Sequence, residues 1–245
     1  MKTFATEIFS LLRHGVVIND QFKKSESIYK FLLLFVLIEI ARMIFTIIIF
    51  YFLKPLNLVI RQKPFQDLII ENGMIYIIIM GCLLAPILEE VAWRLCLKYS
   101  SWNLTLMIGS LSFFGLGYIL NTNVNLNENR LIILKVTITL IICSIHFLCL
   151  KKFKNIDLLL INFWFTYPKI IFYTSVLCFA FFHILNYRWS TMTLLLTPLL
   201  TLPQILAGIT LSYARLKYGV ILSIFLHSMS NFIGILIISN FSRQN

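Results

Sequence analysis

The sequence predicts an all-α membrane protein, a polytopic bundle of about seven spanning helices with one short interfacial or re-entrant helix. Three observations predict it. Of its 245 residues, 59% are hydrophobic and only 13% are charged, against about 45–50% and 25% in a soluble domain. Mean hydropathy is +0.88. The apolar residues are gathered in runs of about 20, the length that crosses a bilayer core as a helix. A membrane barrel would instead alternate polar and apolar residues in segments of about ten. Richness in aromatic and branched residues also excludes disorder.

The elements follow in chain order. Met1–His14 is expected to be a short amphipathic helix on the membrane surface. No cleavable leader is read here, because Leu11-Leu12 is too short an apolar core and the polar stretch Asn19–Ser27 follows it. The expected spans are Phe31–Leu53, Leu68–Tyr99, Trp102–Leu120, Leu131–Leu150, Ile170–Tyr187, Thr191–Ala214 and Val220–Ser239. Ile156–Tyr167 is too short to cross and ends at Pro168, which marks it as the interfacial or re-entrant helix. No repeat or linker divides the chain, so residues 1–245 are taken as one integral-membrane domain, with a cytoplasmic segment at 1–30 and a core at 68–239.

Charge sets the expected orientation. The loops on the N-terminal side carry Lys2, Arg13, Lys23, Lys24 and Lys30, then Lys98, then Lys151, Lys152, Lys154 and Lys169, then Arg215 and Lys217. The other side carries Lys54, Arg61, Lys63, Arg130, Arg188 and Arg243, half as many. Basic loops stay cytoplasmic, which puts the N-terminus of this multi-pass protein on the cytoplasmic side; a bacterial cytoplasmic membrane is the expected location. The net charge of +11 is thereby read as a match to anionic headgroups. Nucleic acid is not an expected partner, since no soluble segment carries a basic face. The five cysteines are odd in number and lack a CxxC, so they suggest small core residues, neither a disulfide frame nor a thiolate zinc site.

Ionisable residues inside a span cost about 2.5–3.5 kcal/mol each on insertion scales, so each needs a reason. Glu39 and Arg42 share a helix face and read as a local ion pair. His146 reads as a neutral, hydrogen-bonded histidine. The second span carries Glu89 and Glu90 side by side, with Arg94 four residues after Glu90. Glu90 and Arg94 can pair along one face. Glu89 points about 100° away and has no local partner. An unpartnered carboxylate in the bilayer is a candidate general base; a structural Glu–Arg pair with a second Glu reaching for water is the alternative.

Two further constellations bear on that choice. His183 lies late in the fifth span, four residues after Phe179, and His227 and Asn231 stand one turn apart in the seventh. Fixed donors of this kind suit an oxyanion. Counted at 1.5 Å per residue from the basic loops, Glu89, His227 and His183 lie about 13, 15 and 21 Å deep, all within the middle of a core of about 30 Å.

The three motifs are Glu89-Glu90-x-x-x-Arg94, Phe179-x-x-x-His183 and His227-x-x-x-Asn231. In this order, each inside a span, they resemble the CPBP group, the CAAX prenyl protease type II or Abi family. The resemblance covers about Ala85 to Gly234. It implies a helical intramembrane endopeptidase in which Glu89 and His183 activate water, His227 and Asn231 hold the oxyanion, and Glu90 and Arg94 orient the helix. The implied substrate is a membrane-anchored peptide or protein, prenylated or of the bacteriocin type. Leu95 stands where family members often have Gly, and the stretch from Arg94 to Phe179 is long. No tightly bound cofactor is expected; a divalent metal such as zinc, if one binds, would take Glu89, His183 and His227. The alternatives are a catalytically silent scaffold or immunity protein, and an ion-coupled transporter with its sixth span broken at Pro198 and Pro203.

Overall fold

The computed structural model describes residues 2–16, 24–53, 73–123, 127–187 and 189–242. Lys23, Lys54, Arg61, Lys63, Arg188, Arg243, most of the polar stretch after residue 18 and the expected start of the second span at Leu68 lie outside them. Helices form every element along the described residues: α1 (Lys2–His14), α2 (Lys24–Leu53), α3 (Met74–Ile78), α4 (Ala85–Trp93), α5 (Ser101–Asn123), α6 (Glu128–Lys152), α7 (Lys154–Thr166), α8 (Pro168–Phe182), α9 (Thr191–Leu195), α10 (Thr197–Lys217) and α11 (Val220–Ser242). Six stretches are long and apolar enough to cross a membrane, and Val220–Leu236 adds a shorter apolar helix within α11. The fold is thus the expected all-α polytopic bundle of an integral membrane protein.

Proline explains the two breaks. Between α3 and α4 the helix loosens to a π-helical turn, Ile79–Leu84, with a proline in the first turn of α4. Pro86 has no N–H for the preceding turn, and the ladder slips by one residue to absorb it. The expected sixth span is divided at Leu196, with Pro198 opening α10 and Pro203 within it. The short helix Ile156–Tyr167 is present as α7, ending just before Pro168 as expected.

α10 is the central helix and packs against α2, α8 and α11. In turn α4 packs against α5, α8 and α11, and the α5–α6 hairpin lies outside. Lipid tails are as apolar as leucine, so contacts between spans rest on close packing and interhelical hydrogen bonds. α10 accordingly buries Thr201, Thr210 and Ser212 among its apolar residues. On the outer hairpin, Thr105 donates to Ser101 O, so its oxygen accepts from Nδ1–H of His146 at 2.9 Å, the partner expected for a neutral histidine.

Two expectations are corrected. α1 does not simply lie on a lipid surface. Its Leu11 is fully buried in a cluster with Phe31, Phe172 and Tyr213. Glu7 bonds to Tyr213 and Lys217, and Tyr173 donates to Leu12 O at 2.8 Å. Part of its apolar face, at Leu11, packs on protein, while Phe9 stays exposed. The cysteines are free, as expected, but only Cys96 is buried; Cys149 and Cys178 are exposed on the helix surfaces.

Candidate active site

Three helices bring the predicted residues together. α4 carries Glu89, Glu90 and Arg94 at its C-terminal end; α8 ends at Phe182 and hands His183 to a 3₁₀ turn, His183–Asn186; α11 carries Ser223, His227 and Asn231 on successive turns of one face.

The floor of the site is closed. Glu90 and Arg94 are fully buried. One Glu90 oxygen accepts from Ser223 Oγ, and the other lies 2.9 Å from His227 Nδ1 and 3.7 Å from Arg94 Nε. The Arg94 guanidinium stacks over the Phe179 ring, its carbon 3.7 Å from the ring centroid. Gly208 lets α10 lie close to α8 beside it, since a Cβ there would stand 3.1 Å from Val176, a tight contact. The local Glu90–Arg94 pair is therefore present, but the closer contacts of Glu90 are to α11. Phe179 joins the parts: its ring meets His183 edge-on at 4.6 Å and His227 at 5.6 Å between centroids.

The upper part of the site is open. His183 Nδ1 lies 2.9 Å from Phe179 O, a carbonyl that only accepts, so Nδ1 bears the proton and Nε2 presents a lone pair. Glu89 Oε2 is 3.8 Å from that Nε2 and 3.7 Å from His227 Nε2. It is buried and has no hydrogen-bond partner among the described residues. Asn231 donates through Nδ2 to Gly81 O at 2.8 Å, a carbonyl within the π-helical turn. Gly81 permits that approach, because a Cβ would lie 3.1 Å from Ile235 on α11.

A cavity of about 100 Å³ is bordered by His183, His227 and Asn231, by Phe179 and Gln204, and by Glu39, Arg42 and Ser230. One water needs roughly 10–15 Å³ of such space. Glu89 is not among the cavity's lining residues; it stands behind the two imidazoles. As for metal, Glu89, His183 and His227 are the donor set an ion would use, yet no group of three or more His, Cys, Asp or Glu among the described residues is arranged to hold one.

Sequence reasoning missed several of these residues. Ser223 sits one turn before His227 and could have been read from that spacing. The spacing of Glu39 and Arg42 gives their local pair and leaves open whether they reach the cavity, which they border. Nothing in the sequence pointed to Gln204 or Gly81.

One turn along α4 from Glu89 lies an apolar cleft of about 380 Å³, lined in part by Trp93, Cys96, Met107, Leu111, Trp164 and Cys178.

A family model described as type II CAAX prenyl endopeptidase, Rce1-like, matches residues 71–233, about two thirds of the chain. No curated protein and no solved structure matches it.

Proposed function

The chain belongs to the Rce1-like family of type II CAAX prenyl endopeptidases, and from that premise we propose that it cleaves a lipid-anchored peptide by general-base activation of water between Glu89 and His183. The observation that carries this reading is the unfilled Oε2 of Glu89, facing two imidazole nitrogens at 3.7–3.8 Å inside a membrane bundle. A carboxylate and a lone-pair nitrogen are both acceptors. A water donating to both keeps its own lone pairs free for attack.

The steps balance as follows. Glu89, aided by His183, takes one proton as the water oxygen bonds to the scissile carbonyl carbon. The π electrons of that carbonyl move to its oxygen. Asn231 has a second N–H beyond the one given to Gly81, and His227 can offer Nε2–H when Nδ1–H is bound to Glu90; the charge this places on the ring is balanced by Glu90 below it. The proton held on the Glu89 side passes to the nitrogen as the C–N bond breaks, leaving a carboxylic acid and an amine; the acid's proton, the second one of the water, then passes to the amine, giving carboxylate and ammonium. Glu90 and Arg94 touch no reacting atom in this scheme and hold His227 and Phe179 in place. No step is routed through a metal.

The substrate's lipid is the finer part of the reading. The apolar cleft beside Trp93 is of a size and lining suited to a hydrocarbon chain, on the helix that carries Glu89. A membrane-anchored, prenylated peptide satisfies both halves of the site.

The test uses purified protein in lipid nanodiscs with a panel of lipidated and unlipidated C-terminal peptides, scored by mass spectrometry. Cleavage by the parent that is lost in Glu89→Ala and in His183→Ala is the expected result. Equal cleavage by the parent and both variants would end the assignment, and activity that persists in chelator is expected.

A further inference from the structure

Glu39 and Arg42 come from α2, outside the family-matched residues 71–233. Both nevertheless border the cavity that holds His183, His227 and Asn231. They pair with one another, and both bond to a single residue of α11: Ser230 donates to Glu39 Oε2 at 2.9 Å and accepts from Arg42 Nη1 at 3.2 Å. Ser230 is the residue before Asn231. We infer that the Glu39–Arg42–Ser230 cluster is a positioning device for the oxyanion side of the site, one that fixes the Asn231 carboxamide from a helix the family motifs do not include.

The argument is geometric. α11 presents four polar side chains to the core, tied to several other elements; Ser223 Oγ also lies 3.0 Å from Leu211 O on α10. Ser223 and His227 are tied to Glu90 on α4, Asn231 to the π-helical turn before α4, and Ser230 to α2. The first three ties all lead to the Met74–Leu97 stretch. Without the fourth, α11 keeps its ties to that stretch and, through Ser223, to α10, but loses its polar tie to α2, on the side of the cavity that Ser230 borders. Its cavity-facing turn is then free to rotate by the fraction of a turn that removes the second Asn231 N–H from a developing oxyanion. A local ion pair within α2 needed no serine on another helix. The Glu39 carboxylate is buried, and in lipid a buried carboxylate bound to a neighbouring span fixes azimuth more than it adds affinity, since such interhelical bonds average only modest strength.

The inference rests on the proposed peptidase reading for its kinetic form, and its test separates the two. An oxyanion donor supplies about 10²–10³ in kcat, and a displaced donor forfeits part of that. Arg42→Met and Ser230→Ala are each expected to lower kcat about tenfold, with KM changed little. Ser230→Thr, which keeps the hydroxyl, restores most of the rate. In an Asn231→Ala background Arg42→Met has little further effect, because the group it positions is gone. Full additivity of Arg42→Met with Asn231→Ala would overturn the inference while leaving the peptidase reading intact. If the parent cleaves no peptide, that reading fails instead. The same cycle, followed by melting temperature in detergent, then decides the inference: coupling between positions 42 and 231 supports the clamp, and strictly additive losses overturn it.

Discussion

Glu89 and Glu90 are neighbours in the chain, yet they belong to opposite kinds of environment. Every side of Glu90 is occupied: Ser223, His227 and Arg94 surround it, and no solvent reaches it. Glu89, turned about 100° around the helix, has an oxygen that nothing fills. A floor with its hydrogen bonds complete holds shape and resists reaction. A buried acceptor left open keeps its capacity for a proton. The comparison teaches that one helical step is enough to separate a carboxylate whose contacts are complete from one left open, the one the proposed reaction uses as its base.

The largest expected effect breaks the comparison at Glu89. Glu89→Gln removes the base and keeps the size, so kcat falls by about 10²–10⁴. Melting temperature in detergent is expected to change little, because Glu89 Oε2 makes no hydrogen bond to a described residue that the change would remove. A stability loss as large as the activity loss would show that Glu89 is part of the floor after all.

Changes to the floor have the reverse signature. Glu90→Gln or Arg94→Met leaves a buried charge uncompensated, which costs about 3–5 kcal/mol. Each variant is expected to melt well below the parent, and Glu90→Gln also lowers the rate per folded molecule, because His227 loses the carboxylate that orients it. The double variant loses less than the two singles added, since no orphan charge remains. Phe179→Leu stands between the two regions, because its ring touches both imidazoles and carries the Arg94 guanidinium. It forfeits a desolvated cation–π contact of about 2 kcal/mol. Both the melting temperature and kcat are expected to fall, each by less than in the preceding variants.

How much of this was legible in the sequence differs by the range of the interaction. Spans depend on the apolar content of one segment, and the helices follow the expected runs closely, including the short α7. Motif order named Glu89, His183, His227 and Asn231, and the helices bearing them do converge. The partners of Glu90 were half legible. Arg94 lies within one helical turn, whereas Ser223 and His227 are more than 130 residues away in the chain. Glu39 and Arg42 could be paired by spacing, but their contact with Ser230 depends on how α2 is rotated against α11, which no local pattern records. Likewise the amphipathic pattern of α1 does not tell whether lipid or protein will cover it; the buried Leu11 and the bonds of Glu7 do.

The apolar cleft sharpens the comparison from outside the polar site. It borders Trp93 at the end of α4 and Cys96 in the 3₁₀ turn after it, and shares no lining residue with the polar cavity. If it takes the substrate's lipid, filling it should weaken binding and leave the chemical step nearly alone. Leu111→Trp places a bulky ring at the wall of this cleft, on α5 and clear of the cavity lining. The expected result is a KM for a prenylated peptide raised several-fold, about 1 kcal/mol at a factor of five, with kcat close to the parent's. The unlipidated counterpart of the same peptide should show no such rise, because it brings no hydrocarbon to the cleft. Steady-state kinetics on the matched pair of peptides checks this. An equal rise in KM for both would mean that the cleft is merely packed against the site, and the lipid would then have to lie along another face of α4.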